Sequence, residues 1–267
     1  MNLARGEYRS ASLVNWRLVP MLSRAPQPVS ADALEAVRQR YGLGMEAKLI
    51  CSFGYVGPAK LSLELIEAFT RSGLGLQGWT LILAGSEGGN TAYRRTLDQA
   101  IAAGSLQGCV HVTGWIDPEV YWCLQSLSSI NVQLRSRSRG ETSAAVMDCL
   151  QSGAALVVNR HGSLDDLPED VCRKLPDRFT TQQLAACLQT LAGDPQAREQ
   201  LGERARRLCL EHHSPEVCGE AYRAAIEAIH AHGSHRLDVA VALGKQPGFR
   251  ALDRGQRAAW INALAER

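Results

Sequence analysis

From Lys48 onward the chain switches repeatedly between two hydrophobic patterns. Short, nearly continuous apolar runs, LICSFGY (49–55), TLILAG (80–85), CVHVTG (109–114), INVQLR (130–135) and ALVVN (155–159), read as strands. Between them lie longer segments in which apolar residues recur at helical spacing. LSLELIEAFTRSG (61–73) carries them at 61, 63, 65, 66 and 69, and the segments 90–104, 117–128 and 142–153 behave alike. Strands that are apolar on both sides must be covered on both faces. Five of them alternating with four helices therefore predict a mostly parallel sheet. Right-handed crossovers then give an α/β fold, a doubly wound, Rossmann-like layer sandwich.

The flanks are simpler. Residues 30–44 predict one helix, capped by Ser30 and stopped by glycine, after an irregular start containing Pro20, Pro26 and Pro28. Beyond Asn159 come a loop, a weak strand at Val171–Leu175, and three helices with start signals at Thr180, Asp194-Pro195 and Ser214-Pro215. The expected division is a linker and first helix over 1–44, the α/β domain over 45–232, and a tail over 233–267 with an amphipathic helix at 250–266.

Composition narrows the function classes. Lys and Arg number 29 against 27 Asp and Glu, a net charge of +2, too balanced for an affinity built on neutralising many phosphates of a nucleic acid. No nucleic-acid partner is expected. Apolar stretches fall short of a membrane span, and the first residues lack the apolar core of a secretory signal, so the expected location is cytoplasmic, with peripheral contact at the inner face of a membrane. Eight cysteines, scattered and without a C-x-x-C pair, read as small core hydrophobes rather than disulfide or zinc ligands.

Ligands of open α/β sheets bind beyond the carboxyl ends of the strands, so the turns there carry the candidate chemistry. The first, Gly54–Lys60, brings a lysine to a helix start and reads as a phosphate site or as a solvated charge. The second, Ala84–Asn90, has glycines at 85, 88 and 89 that admit a close ligand or simply a flexible loop. The third places Trp115 after Gly114, as packing or as a stacking platform. The fourth is the richest: Arg135, Arg137, Arg139, Gly140, Glu141, Thr142 and Ser143 precede a helix carrying Asp148. Cations, hydroxyls, a carboxylate and a helix N-terminus there fit a sugar phosphate, or else a helix cap beside a basic loop.

Taken in order, SFGYVGPAK, LILAGSEG, VHVTGWID and RGETSAAVMDCLQSGAALVVNRHGS resemble the C-terminal donor-binding domain of retaining glycosyltransferases of the GT-B fold, glycosyltransferase family 4, over about residues 45–232. That family carries two acidic residues separated by seven positions. Asp148, opening D-C-L-Q-S-G, matches the second, which binds the donor ribose. The first falls on Gly140, with the acid one place later at Glu141. Lys60 matches the lysine that holds the donor pyrophosphate, whereas the family's arginine after the first glycine is Tyr55 here; Arg135, Arg137 or Arg139 would replace it.

The resemblance implies retaining transfer of a hexose, with mannose preferred, from a GDP- or UDP-linked sugar to a hydroxyl of a glycan or lipid-linked acceptor, without metal or other cofactor. In that reading Lys60 and Glu141 are catalytic: Lys60, with the amides near Thr142 and Ser143, stabilises the departing diphosphate, and Glu141 contacts the donor sugar. Gly54, Gly85, Trp115, Arg139, Gly140, Thr142, Ser143, Asp148, His161 and Gly162 bind the donor. The fold needs two such domains, so a missing N-terminal domain, in cis or trans, is an expected partner, and residues 13–20 resemble the interdomain linker. Two other readings remain at this level: a nucleotide-sugar epimerase, which would want further acid/base groups, and a noncatalytic nucleotide-sugar-binding or interaction module of the same fold.

Overall fold

The computed structural model describes residues 19–231, with 253, 255 and 256. The linker-like segment 13–18 and the tail helix expected at 250–266 lie outside the described residues or nearly so. Contacts divide the chain into two units, one spanning Leu22–Ser214 and one combining the two termini.

In the Leu22–Ser214 unit the apolar runs form six parallel strands: β1 (Lys48–Phe53), β2 (Trp79–Ala84), β3 (Val110–Val112), β4 (Ile130–Gln133), β5 (Ala155–Asn159) and β6 (Arg173–Leu175). Their order in the sheet is β3-β2-β1-β4-β5-β6. The five expected strands are present, and the weak run before Leu175 becomes the sixth, paired with β5 through Asn159 and Leu175.

Because side chains alternate along a strand, each strand feeds two cores. Ile50, Leu81, Leu83, Ile130, Val132 and Val157 face one, where they meet α2 (Ser62–Ser72), α3 (Thr91–Ala103) and α6 (Thr181–Gly193). Leu49, Cys51, Phe53, Ile82, Leu156 and Val158 face the other, with α1 (Ala31–Tyr41), α4 (Pro118–Leu127), α5 (Ala144–Ser152) and α7 (Pro195–His212). Nearly every one of these strand residues is fully buried, so hydrophobic burial alone specifies a sheet sandwiched between helical layers. All eight cysteines are free thiols, and Cys51, Cys123, Cys149, Cys172, Cys209 and Cys218 are buried.

Helix boundaries follow the expected chemistry. The Ser30 hydroxyl accepts from the Ala33 N–H and Gly42 closes α1 at φ +63; Thr180 and Gln183 form a reciprocal capping box on α6; Asp194 caps α7 ahead of Pro195. Close backbone approach also demands glycine at Gly202 of α7, where a Cβ would lie 1.7 Å from the Gly153 carbonyl oxygen. The terminal unit contributes α8 (Pro215–Ala231), which begins with the expected proline.

Candidate functional site

The chain leaves β1 towards β2 and β4 towards β5, so the loops after these two adjacent strands diverge and open a crevice at the point where strand order reverses. The two loops are tied together. Ser136 donates through its backbone N–H to the Ala59 carbonyl (3.0 Å) and through its hydroxyl to that of Pro58 (3.1 Å).

Lys60 does not open the long helix, as its sequence position suggested. Pro58–Lys60 form a separate 3-10 turn that ends at Leu61, a non-glycine residue at φ +52, and α2 begins only at Ser62. The turn holds Lys60 over the end of β4, its Nζ 3.4 Å from the Gln133 carboxamide. Burial, and next the positive Arg135, bring its pKa down to about 8. A half-buried ammonium beside a second cation, with one weak contact, is a place where an anion is favoured.

Arg135 is fixed from its backbone outward. Asn159, fully buried at the end of β5, accepts from the Arg135 N–H (2.9 Å) and donates to its carbonyl (2.7 Å) and to that of Asp177 (3.2 Å). The Arg135 guanidinium lies 2.6 Å from Glu141, while its buried Nε makes no hydrogen bond. The Glu141 carboxylate also accepts from the Arg139 N–H at 2.6 Å. Hydrogen bonds from the backbone N–H groups of Glu141 itself and of Arg139, reinforced by Arg135, hold its carboxyl below the usual range. Of the three arginines offered as replacements for the missing clamp, Arg135 is the one beside Lys60; the side chains of Arg137 and Arg139 are exposed and unpaired among the described residues.

Three glycines zip the loops after β1, β2 and β3 together. The Gly54 N–H donates to the Ala84 carbonyl and the Val56 N–H to that of Ser86, both at 3.0 Å; Gly85 bridges Gly114 and donates its N–H to the Thr113 hydroxyl. A Cβ on Gly85 would sit 1.8 Å from the Gly54 carbonyl oxygen. At Gly85 the glycine-rich turn is therefore a close backbone junction, whereas Gly88 and Gly89 are exposed. Tyr55 crosses this junction, its ring over Gly57 and Gly88. Trp115 stands 71% exposed at the rim, which disposes of the packing alternative.

Gly140 turns the fourth loop at φ +86 with open space where a side chain would be. Thr142 is exposed; Ser143 is the N-terminal cap residue of α5, yet its hydroxyl makes no cap bond. Asp148, one turn into α5, accepts a 2.7 Å hydrogen bond from the Tyr121 hydroxyl. His161 Nδ1 lies 2.6 Å from Asp177, Gly162 at φ +58 packs against Ser138, and the Ser163 hydroxyl donates to the Glu141 carbonyl at 2.7 Å. Glu64, Arg135, Ser136, His161, Asp177 and Arg178 line a cavity of about 340 Å³ next to the crevice. A larger hollow of about 580 Å³ lies between the far ends of α2 and α3, at the opposite end of the sheet. Among the described residues no group of three or more His, Cys, Asp or Glu is arranged to hold a metal ion.

Lys60, Arg135, Glu141, His161 and Gly162 thus gather at the crevice, with Gly54 and Gly85 joining the loops that follow β1 and β2. Gln133, Asn159, Tyr121 and Asp177 belong with them and were not singled out in the sequence. Polar residues at strand ends, Gln133 and Asn159, were the available signal.

A sequence family described as glycosyl transferase-like matches residues 64–222, more than half of the chain. The chain belongs to that family. It is 27% identical over 209 residues to the alpha-D-kanosaminyltransferase of Streptomyces kanamyceticus, an alignment covering 76% of this chain and 52% of that protein. This glycosyl transferase-like chain therefore spans about half the length of that curated relative. Among solved structures, the C-terminal domain of a group 1 glycosyl transferase from Francisella tularensis is similar over its entire length and 73% of this chain, at 15% identity and a TM-score of 0.60. HepE of Anabaena, solved with UDP-glucose, matches over 76% of this chain and 54% of its own (16% identity, TM-score 0.64). Sucrose-phosphate synthase from Thermosynechococcus elongatus matches over 85% and 57% (20% identity, TM-score 0.66). The six-stranded parallel domain is the C-terminal domain fold of GT-B glycosyl transferases, as the sequence resemblance implied. Among the described residues no helix is long and apolar enough to cross a membrane.

Proposed function

We propose that this chain supplies the donor-binding half of a retaining glycosyltransferase, active on a nucleoside diphosphate hexose when joined by an N-terminal acceptor domain. The observation that carries the reading is the half-buried Lys60 ammonium beside Arg135 at the strand-order switch point. The diphosphate binds there, where Lys60 and the first amides of α5 neutralise charge as it leaves. Asp148 holds the ribose, and Gly85 and Trp115 border the base. Glu141 and the His161–Gly162 turn meet the sugar, with residues 45–232 as the functional domain. UDP is the first nucleotide to test, because the Anabaena neighbour was solved with UDP-glucose; GDP-mannose, the hexose donor preferred from the sequence, is the second.

A second reading, a noncatalytic nucleotide-sugar-binding module, draws on one observation: Arg135 and the Arg139 N–H already engage both oxygens of Glu141. Transfer separates the two. The chain, co-expressed with a candidate N-terminal half, is incubated with UDP-glucose or GDP-mannose and acceptor hydroxyls, and product configuration is read by proton NMR. Retained anomeric configuration supports the proposal; donor binding without any transfer favours the binding module.

A further inference from the structure

Tyr121 of α4 and Asp148 of α5 are 27 residues apart and meet at the edge of the crevice, the Tyr121 hydroxyl donating to Asp148 Oδ2 at 2.7 Å. One turn along α4, Gln125 Nε2 donates to the same hydroxyl oxygen at 3.2 Å. Since the amide supplies its own proton, the tyrosine proton is committed to the carboxylate. The result is a chain of hydrogen bonds running one way, Gln125 to Tyr121 to Asp148, in which each bond polarises the next. The ring is anchored as well: it stands edge-on to Phe53, the last residue of β1, with centroids 5.0 Å apart. Burial, with the negative charge of Asp148 alongside, keeps the phenol protonated by raising its pKa.

A carboxylate offers about four acceptor positions over its two oxygens, and Tyr121 occupies one. Among the described residues no other side chain hydrogen-bonds to Asp148, a part-buried residue, which leaves Oδ1 and the second lone pair of Oδ2 without a side-chain partner. Two adjacent acceptors match the two hydroxyls of a cis-diol. An aspartate is also one methylene shorter than the glutamate of the family pattern, so its oxygens need a fixed direction to reach a ligand.

We infer that Tyr121 is a positioning residue that aims the Asp148 carboxylate at the 2′,3′-diol of a nucleotide ribose and thereby makes the site select ribonucleotides over 2′-deoxyribonucleotides. The inference rests on the donor-site reading above and adds to it the device that sets ribose selectivity. A tyrosine that merely packed α4 against α5 would affect stability, not the ratio of the two affinities.

The test is calorimetric titration of the full chain with UDP and 2′-deoxy-UDP, and with GDP and 2′-deoxy-GDP, for wild type, Tyr121→Phe and Asp148→Asn. Wild type is expected to prefer the ribonucleotide about tenfold, one well-made hydrogen bond to a charged group. Tyr121→Phe is expected to weaken the ribonucleotide about fivefold and to leave the deoxy form within about twofold, so that the preference collapses. Should Tyr121→Phe lower the thermal midpoint too far for titration, Gln125→Met, which removes the donor that commits the tyrosine proton to Asp148, carries the test through a smaller loss of the same preference, with Asp148→Asn as the control that abolishes it. Undiminished ribose preference in Tyr121→Phe overturns the inference while leaving the donor site standing. A wild-type chain that binds none of the four nucleotides overturns the donor-site reading itself, and this inference with it.

Discussion

Arg135 and Glu141 neutralise each other across the fourth loop, 2.6 Å apart, at the spot where Arg135 also bears on Lys60. The acid proposed above to meet the donor sugar, one place after the family's position at Gly140, is thus also the counter-ion of Arg135. Glu141→Gln keeps the shape and frees Arg135 for an anion. Nucleoside diphosphate binding is expected to tighten by about twofold to fivefold, the worth of a partly exposed ion pair, and the gain should shrink with added salt. Titration of the variant at low and high ionic strength checks this; weakened binding would mean that Glu141 orders the loop instead of competing for it.

The depressed lysine gives a pH signature. Above pH 8 the Lys60 ammonium of the free protein loses its proton, so affinity for a nucleoside diphosphate should fall between about pH 7 and 9 although the phosphates stay ionised. Lys60→Arg stays charged throughout and should flatten the curve. Binding measured at half-unit intervals in constant ionic strength decides it, and an unchanged slope in the arginine variant would assign the titration elsewhere.

Gly85 has no room for a methyl group, with the Gly54 carbonyl oxygen 1.8 Å from where a Cβ would be. Gly85→Ala must spread the loops after β1 and β2, at a cost of about 3 kcal/mol in unfolding free energy by chemical denaturation. Gly202→Ala is equally crowded, at the α7–Gly153 contact far from the crevice. Both should destabilise, but only Gly85→Ala should also impair nucleotide binding at temperatures where the protein remains folded.

Asn159 is the buried clamp between the loops after β4 and β6. In Asn159→Ala the Arg135 backbone N–H and carbonyl lose their partners, and unfolding free energy should drop by about 2 to 3 kcal/mol. Nucleotide affinity should fall with it as Arg135 loosens. Asn159→Asp, which sets a buried carboxylate oxygen against the Arg135 and Asp177 carbonyls, should recover none of the stability at neutral pH.

Why the strands and crossover helices could be read from the sequence while the contacts that join the site residues could not is a matter of range. Ile50 and Cys51, adjacent in β1, face opposite cores, and that alternation under continuous apolarity is a local pattern. Ser30, Thr180 and Asp194 cap helices through contacts three residues away. The Tyr121–Asp148 bond, by contrast, depends on how α4 lies against α5, and the Ser136–Pro58 bond spans 78 positions. Gly140 and Glu141 show the same limit: their residue types announce a turn and an acid, but only the folded loop reveals that the acid points back to Arg135. Lys60 was legible as a cation beyond β1, whereas its separate 3-10 turn, ended by Leu61 in a left-handed conformation, follows from no propensity rule.

The most direct measurement is calorimetric titration of the full chain with UDP, GDP and ADP, alongside Lys60→Ala and Asp148→Ala. The account predicts saturable one-to-one binding of one of the three, weakened about tenfold or more in each variant, since each removes a charged group from a partly desolvated contact. Equal affinity in wild type and both variants would place the nucleotide away from the β1–β4 crevice and contradict the assignment of the site.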